Sequence, residues 1–514
     1  MDVYVVSLLA PLALIAAAVA GFMNSGRRPE WVPQIAEGAA LVAVAVAVIS
    51  GLVLAANGPG TGEVMGLMVR LDLLSVIMLT LVSFVGWVVL RYTRTYLDGE
   101  DRQGVFTGWM ALTLAAVLVF VQAGHLALFV VAFVATSVFL QRLLVFYPER
   151  VQAQRAAKKK FVTSRLGDAA LITAAVLLYN GYGTGEIGEI LAAARIGVTP
   201  EAALWAAGFL ALAALLKSAQ FPTHGWLTEV METPTPVSAL LHAGVINAGG
   251  FLLIRFADVL LLAPGVLAVL VMVGGFTAVF GGLVMLTQPA VKTSLAWSTV
   301  AQMGFMILQC GLALFPLALL HIVAHSLYKA HAFLASGQAV DGVAAIRRPG
   351  PVAIPSGAAV LKAFVAALAI YGIVGAGFGF DAKSPQAIAL GAILIFGVAY
   401  LLAQGLADQA PKVLTQRTAL YSVAASVAYF ALQRGAEAAM AGTLPATPAP
   451  GPPEWALIVL AVFSFGAVAV AQAMFPLWAY HPAAAGLRVH LSNGLYANAV
   501  MDRILGGWAL RRSN

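Results

Sequence analysis

Three titratable side chains follow one stripe of a single apolar segment. His321, His325 and Lys329 are four residues apart in the sequence HIVAHSLYKAHAFL, and side chains at this spacing are neighbours on one face of a helix, about 6 Å apart. Histidine titrates near neutral pH, and a lysine in an apolar setting can exist charged or neutral. Such a row can pass a proton from one group to the next, directly or through water. The spacing therefore predicts a proton path.

A further lysine lies inside another apolar segment, within LLKSAQFPTHGWL at residues 215–227. Lys217 is followed by Pro222, which cannot donate to the helix ladder and whose ring clashes with the preceding turn. Carbonyls freed in this way at membrane depth must face protein or water. Because a lysine at the centre of a span costs about 3 kcal/mol on insertion scales, a functional role is favoured. The pattern predicts a broken helix that holds a titratable amine in a hydrated pocket.

Other polar residues lie within or beside the apolar segments and extend this candidate set. The predicted ion or proton path comprises Lys217, His242, Lys292, His321, His325, Lys329, Asp381 and Lys383. Residues expected to admit protons or to couple their movement are His224, Glu229 and Glu232. Two alternatives stay open: Lys292 could instead extend to the membrane surface, and the two glutamates could form a solvated face and a helix cap.

The elements that position these residues are apolar segments long enough to cross a bilayer. The chain has 514 residues, of which 61% are hydrophobic and 10% are charged, whereas soluble domains carry about 25% charged residues. We count about fifteen runs of spanning length. They cover 1–22, 35–56, 68–90, 106–122, 125–147, 162–180, 203–230, 236–257, 265–287, 293–311, 314–336, 356–379, 386–404, 415–432 and 455–480. The predicted fold class is an all-α polytopic membrane protein.

The distribution of basic residues predicts the orientation in the membrane. They fall in alternate connections, at residues 27–28, 91–102, 150–165, 347–348, 412–417 and 488–512. Connections rich in lysine and arginine stay in the cytoplasm. With fifteen spans, the N-terminus is expected outside and the C-terminus in the cytoplasm, in a bacterial inner membrane. The net charge of +7 is therefore explained by orientation, and we expect no binding of nucleic acid.

Five blocks are predicted along the chain. Residues 1–105 form N-terminal transmembrane helices, 106–260 a first five-helix repeat, 261–410 a second, 411–480 C-terminal transmembrane helices, and 481–514 a cytoplasmic amphipathic tail. An odd number of spans per repeat would make the two repeats inverted, as in many transporters. A second interruption is expected at 356–386, where glycines precede Asp381 and Lys383. The tail is expected to be a membrane-surface anchor or a partner contact.

Signatures of several other function classes do not occur in the sequence. There is no nucleotide-binding loop and no glycine-rich dinucleotide fingerprint. The single cysteine, Cys310, excludes a disulfide framework or a cysteine metal site within this chain. We therefore expect a transport subunit that is not itself an enzyme and holds no cofactor.

Three motifs carry a family resemblance. KSAQFPTHGWLTEVMETPTPVSALLHAG, VKTSLAWSTVAQMGFMIL and AHSLYKAHAFLASG resemble the proton-conducting, antiporter-like subunits of respiratory complex I and of Mrp cation/proton antiporters. The resemblance implies a fourteen-helix-type core with two inverted five-helix repeats, broken seventh and twelfth helices and a half-membrane proton path. The roles it implies are the central pump lysine for Lys217, connecting histidines for His242, His321 and His325, a bridging lysine for Lys292 and a further polar-axis position for Lys329.

The chain departs from this family pattern in two places. The family has a glutamate in its fifth helix, paired with the pump lysine, whereas the matching position here is Val134 or its neighbour. The family's lysine in the twelfth helix corresponds to the sequence GFGFDAKS of this chain. Asp381 aligns best with that lysine, and Lys383 follows two residues later.

A narrower resemblance connects the chain with inorganic carbon accumulation. GWLTEVMETPTPVSALLHAGVINAGGFLLIR and LRVHLSNGLYANAVMDRI look like the DabB family of membrane subunits. The resemblance implies a cytoplasmic, DabA-like partner that holds zinc and resembles β-carbonic anhydrases. A downhill flow of H⁺ or Na⁺ through this chain would then drive one-way CO2 hydration to bicarbonate on the partner. Two alternatives are an antiporter-like subunit of complex I, a hydrogenase or an Mrp-type Na⁺/H⁺ antiporter, and a membrane anchor that conducts nothing.

Overall fold

A computed structural model of the chain describes residues 2–230, 233–336, 356–380, 383–406, 412–474, 478 and 481–506. Two residues of the predicted set, Glu232 and Asp381, lie outside these ranges. Within them the fold is helical apart from one two-stranded hairpin.

The helices follow one another along the chain with short connections. In order they are α1 (Leu9–Met23), α2 (Val32–Asn57), α3 (Leu73–Tyr96), α4 (Gln103–Gln122), α5 (Leu126–Leu144), α6 (Val151–Tyr182), α7 (Ile187–Arg195), α8 (Glu201–Lys217), α9 (Gly225–Glu229), α10 (Thr235–Ala243), α11 (Ala248–Arg255), α12 (Ala257–Leu261), α13 (Pro264–Met285), α14 (Val291–Gly311), α15 (Phe315–Leu334), α16 (Gly357–Gly377), α17 (Pro385–Gly405), α18 (Lys412–Met440), α19 (Pro452–Ala473), α20 (Pro482–Ser492) and α21 (Ala497–Ile504). Short 3-10 helices occupy Val3–Leu8, Val245–Asn247 and Gly494–Tyr496.

Eleven helical segments in the described part of the chain are long and apolar enough to cross a membrane. The remaining four predicted spans coincide with the shorter or more polar helices α8, α14, α17 and α18. Each of the fifteen predicted segments therefore contains a helix, and the all-α polytopic fold class is confirmed. The five block boundaries stay a prediction.

A β-hairpin marks one end of the helix bundle. Strands β1 (Gly60–Val64) and β2 (Leu67–Leu71) are antiparallel, with Val64 opposite Leu67. The turn residues Met65 and Gly66 have φ angles of +52° and +78°, which matches the tight turn that joins twisted strands. We call this end of the bundle the hairpin face.

A buried ion pair joins the hairpin face to the eighth predicted span. Asp72 caps the N-terminus of α3 by accepting a hydrogen bond from the backbone N–H of Ser75 at 2.9 Å. Its other carboxylate oxygen is 2.5 Å from Arg255 and 2.8 Å from Arg70. Since Asp72 and Arg255 are each nearly inaccessible to solvent, this pair connects α3 firmly to α11.

The break predicted in the seventh span is present. Helix α8 ends at Lys217, five residues before Pro222, and α9 starts only at Gly225. Ala219 in this connection has a φ of +50°, which a continuous helix does not contain. The stretch at 356–386 differs, because α16 runs unbroken to Gly377 and a new helix starts at Pro385. Of the four glycines, Gly372, Gly375 and Gly377 lie within α16 and Gly379 follows it, so they do not interrupt that helix.

The eighth span has an interruption that the sequence analysis did not predict. Helix α10 ends at Ala243, a 3-10 turn covers Val245–Asn247, and α11 starts at Ala248. Gly244 at the junction has a φ of −120° and a ψ of −79°. This offset places the Asn247 side chain inside the bundle, where it is 2% exposed.

The tail, residues 481–506, packs on the end of the bundle opposite the hairpin. Asp502 of α21 forms an ion pair of 2.8 Å with Lys159, and the Asn498 amide donates to the Thr228 hydroxyl at 3.3 Å. Lys158 donates to the carbonyl of Leu505 at 2.6 Å. We call this end of the bundle the tail face. These contacts place the tail against α6 and against α9, the short helix after the break.

Candidate functional site

Lys217 lies at the point where the seventh span breaks. It is the last residue of α8, so the free carbonyls of the helix C-terminus favour a positive charge there. The Nζ atom donates to the hydroxyl of Ser137 at 2.5 Å and lies 3.3 Å from Oδ1 of Asp168. The ring of Phe133 faces the amine, with 3.8 Å between Nζ and the ring centroid. The amine is therefore held by α5 and α6 in a site that is 6% exposed.

Asp168 supplies the carboxylate that the fifth helix lacks. It lies on α6, and its Oδ2 atom is 2.6 Å from the guanidinium of Arg165 one turn earlier. Asp168 is not among the residues predicted from the sequence, although it lies within the predicted span at 162–180. A carboxylate in an apolar run is the signal that identifies it. Ser137 gave no signal, because a serine in a span is usually a helix-packing residue.

A second polar group is formed by α10, α14 and α15. The Nδ1 atom of His242 is 3.0 Å from the hydroxyl of Thr299, and Nε2 of His325 is 3.1 Å from the carbonyl oxygen of His242. Lys329 donates to the carbonyl of Leu295 at 3.0 Å. His242, His325 and Lys329 are all buried. The structure thus brings three of the predicted path residues together in one polar row.

The row continues at both ends. The ring of His321 is 5.9 Å from that of His325 between centroids, so the predicted stripe along α15 is present. Lys292 at the start of α14 donates to the hydroxyl of Thr235 at 3.1 Å. His325, Lys329 and Lys292 therefore make polar contacts, whereas the Nε2 atom of His321 is buried without a hydrogen-bond partner among the described residues.

Two small cavities lie among α3, α4 and the broken eighth span, and neither Lys217 nor His325 lines them. Each has a volume of about 20 Å³, which exceeds the roughly 10–15 Å³ that a water molecule needs. One is lined by Phe133 and Thr136, next to the Lys217 site, and the other by Ser326, next to His325. Asn247 lines both cavities.

Asn247 is suited to hold water between the two groups. Its Nδ2 atom donates to Ser326 at 2.9 Å and to Ala243 at 3.1 Å, while its Oδ1 atom is buried without a protein donor among the described residues. Buried waters typically satisfy such atoms. The break in the eighth span thus places a polar side chain where a water-mediated connection is needed.

Several predicted residues lie away from this arrangement. Lys383 donates to Gln433 at 2.8 Å and lies 4.8 Å from the ring centroid of Phe430, in a separate apolar cluster between α16, α17 and α18. Glu229 pairs with Lys159 on the tail face at 2.7 Å. His224 is packed among aromatic rings, with 4.9 Å between its centroid and that of Trp297, and its ring nitrogens have no hydrogen-bond partner among the described residues.

Taken by their chemistry, the assembled groups can exchange protons. The Lys217 site joins an amine, a hydroxyl and a carboxylate, and the second group joins imidazoles, an amine and a hydroxyl. Water beside Asn247 would be needed to connect the two groups. The described residues contain no group of three or more His, Cys, Asp or Glu side chains that could hold a metal ion.

Comparison with known proteins places this arrangement in a family. Residues 123–379 match the NADH:quinone oxidoreductase/Mrp antiporter transmembrane family, and residues 64–107 match the N-terminal family of complex I chain 5. The chain is 38% identical over 521 residues to the probable inorganic carbon transporter subunit DabB2 of Halothiobacillus neapolitanus, covering 96% of this chain and 92% of that protein. It is 42% identical to the probable subunit DabB of Hydrogenovibrio crunogenus, over 62% of each chain.

Solved structures agree on the fold. The chain superimposes with a TM-score of 0.65 on a chain of the Mrp complex from Dietzia sp. DQ12-45-1b, at 24% identity, covering 98% of this chain and 59% of that one. A chain of respiratory complex I from Thermus thermophilus gives a TM-score of 0.57 at 19% identity, with coverage of 96% and 99%. The chain therefore belongs to the DabB group of the NADH:quinone oxidoreductase/Mrp antiporter family.

Proposed function

We propose that this chain is the proton-conducting membrane subunit of an inorganic carbon accumulation complex. The observation that supports it most is the Lys217 amine, held between Ser137 and Asp168 at the end of a broken helix. The relatives are named probable inorganic carbon transporter subunits. We infer from these names that the complex transports inorganic carbon. The chain itself is a transport subunit and not an enzyme.

The proposed path runs along the polar groups of the bundle. A proton held on Lys217 is passed through water beside Asn247 to His325, and from there along the α15 row. That row also contains His321 and Lys329. Further positions beside it are provided by His242 and Lys292. Lys383 and Asp381 would extend the path further within the second repeat, as the resemblance to the family implies.

We propose H⁺ rather than Na⁺ as the cation. The side chains along the path are mainly amines and imidazoles, which carry positive charge when protonated. The carboxylate of Asp168 already contacts the cations of Arg165 and Lys217. A sodium ion needs several oxygen ligands, commonly carbonyls at helix breaks, and would be repelled by the amines. A proton needs only the hydrogen bonds that are present.

The proton flow would drive chemistry on a partner. We propose a DabA-like cytoplasmic subunit that holds the zinc and hydrates CO2, with this chain in the bacterial inner membrane and its tail face in the cytoplasm. One charge crossing 100 mV is worth about 2.3 kcal/mol, enough to displace an equilibrium about 50-fold. The broken seventh span reaches the tail face directly. Thr228 accepts a hydrogen bond from Asn498 of the tail, and Glu229 pairs with Lys159 of α6. Movement at Lys217 can thus reach a partner there.

Rescue of growth tests this function. A host that lacks carbonic anhydrase is given this chain together with a DabA-like subunit, and growth in ambient air is measured with and without an uncoupler. We expect growth that the uncoupler abolishes, and co-purification of a zinc protein with the chain. Growth that persists with the uncoupler would favour a passive anchor, and co-purification with iron–sulfur subunits instead would favour a redox-driven pump.

A further inference from the structure

A second buried lysine meets the Lys217 site from the side of the tail face. Lys160 lies on α6, and its side chain is 3% exposed. Its Nζ atom donates to the backbone carbonyl of Ser137 at 2.6 Å. The hydroxyl of the same serine accepts the hydrogen bond of Lys217. Two amines, from α6 and α8, therefore converge on one residue of α5.

The neighbouring lysine, Lys159, is an example of a buried lysine with a structural role. Lys159 is 2% exposed and has two carboxylates within 2.8 Å, Glu229 and Asp502. Among the ion pairs between described residues, none includes Lys160. Burying an ammonium group without a paired anion is costly. Two carboxylates offset this cost at Lys159, whereas no carboxylate among the described residues pairs with Lys160.

The local charges allow the two amines to hold one extra proton between them. Arg165 is always protonated, and Asp168, which it contacts at 2.6 Å, balances it. Lys217 and Lys160 then remain, and a second carboxylate does not contact either of them within the described residues. Like charges at one buried site disfavour each other. When one amine is an ammonium, the other is therefore favoured as the neutral form.

We propose that Lys160 is the proton-exchange partner of Lys217 on the tail-face side of the path. In the transfer step the Lys217 ammonium loses one proton and becomes an amine, and the Lys160 amine gains one and becomes an ammonium. Ser137 holds the two groups at the same place. The backbone of Lys160 lies eight residues nearer than that of Asp168 to the tail-face end of α6, about 12 Å along the helix axis, so the amine that receives the proton at Ser137 is anchored on the tail-face side. This inference rests on the proposed function.

Two substitutions of Lys160 distinguish this role from a structural one. Lys160→Arg keeps a cation and a donor for the Ser137 carbonyl but cannot release its proton. Lys160→Met keeps the apolar stem and removes the amine. The full-length chain, with the partner that co-purifies, is reconstituted in liposomes, and proton flux under an imposed membrane potential is followed with an internal pH dye. Thermal unfolding in detergent monitors the fold of each variant. Lys412→Arg and Lys412→Met, at an exposed lysine of α18, are the matched controls.

We expect both Lys160 variants to lose proton flux at least about tenfold, as when a positioned proton-transfer group is removed, while the Lys412 variants keep it. Wild-type flux in Lys160→Arg would overturn the proposal, because an arginine satisfies a structural role and fails the transfer. Wild-type flux in Lys160→Met would overturn it equally. If Lys217→Ala also keeps its flux, the proposed function fails as well. If Lys217→Ala loses flux while both Lys160 variants retain it, only the inference about Lys160 is wrong.

Discussion

The amine of Lys217 and the carboxylate of Asp168 face each other between α8 and α6, with 3.3 Å between Nζ and Oδ1 and both side chains 5% exposed. The two helices pack against each other here, and a Cβ atom at Gly167 would lie at an ordinary contact distance of 3.5 Å from Cβ of Leu216. The lysine at the break is therefore paired with an acid from the sixth predicted span. An acid at Val134 of the fifth is not needed for the pair to form.

Removing this acid should disable the path. Asp168→Asn leaves Lys217 and Arg165 without their shared carboxylate, and we expect proton flux in proteoliposomes to fall at least about tenfold, the range for losing a proton-transfer group. Asp98→Asn is the control, since Asp98 pairs with Arg28 at 3.0 Å but is 57% exposed, where such pairs contribute little. Unchanged flux in Asp168→Asn would show that another group holds the lysine.

Blocking the water-sized cavities should separate the two halves of the path. Asn247→Leu removes the amide and fills space that both cavities share, so we expect strongly reduced proton flux with the fold retained. Asn57→Leu is the matched control, because Asn57 also donates to the carbonyl four residues earlier, at 3.0 Å, but is exposed at the end of α2. Equal flux in Asn247→Leu and the wild type would mean that protons do not pass beside Asn247.

The positions of the spans could be predicted from the sequence because each depends on local composition. About twenty apolar residues must form a helix in a bilayer, and a proline after a central lysine ends that helix. The α15 row could also be predicted, because residues spaced four apart lie on the same face of a helix.

The pairing between helices could not be predicted in the same way. Whether Asp168 faces Lys217 depends on the rotation of α6 against α8, which no local pattern specifies. The bend at Gly244 that directs Asn247 inwards follows from packing with α15. Lys160 differs from Lys159 only by one step around the helix, and the two are distinguished only when α9 and the tail bring Glu229 and Asp502 to Lys159.

The buried pair at the hairpin face should be important for stability. Arg255→Met leaves the Asp72 carboxylate with Arg70 alone, and breaking a buried pair costs about 3–5 kcal/mol. We expect a clear fall in the thermal unfolding temperature in detergent. Arg94→Met is the comparison, because Arg94 is 49% exposed and lies 3.4 Å from Glu37, a geometry worth about 0–1 kcal/mol. Equal stability of the two variants would contradict the structure at the hairpin face.

The tail should be released when its ion pair is removed. Asp502→Asn takes one of the two carboxylates from Lys159, so we expect faster hydrogen exchange in residues 481–506 and in α9, measured by mass spectrometry. Arg503→Gln changes an exposed charge on the same helix and should leave exchange unaltered. Slow exchange in Asp502→Asn would show that Asn498 and Leu505 hold the tail without the ion pair.

Proton flux through the Lys217→Ala variant tests the central claim most directly. The full-length chain is reconstituted in liposomes with the partner that co-purifies, a membrane potential is imposed, and internal pH is recorded for the wild type and the variant after equal insertion is verified. The titratable amine at the helix break predicts flux in the wild type and background leakage in Lys217→Ala. Flux at the wild-type rate in Lys217→Ala would contradict the account, because the proton would then cross the membrane without this amine.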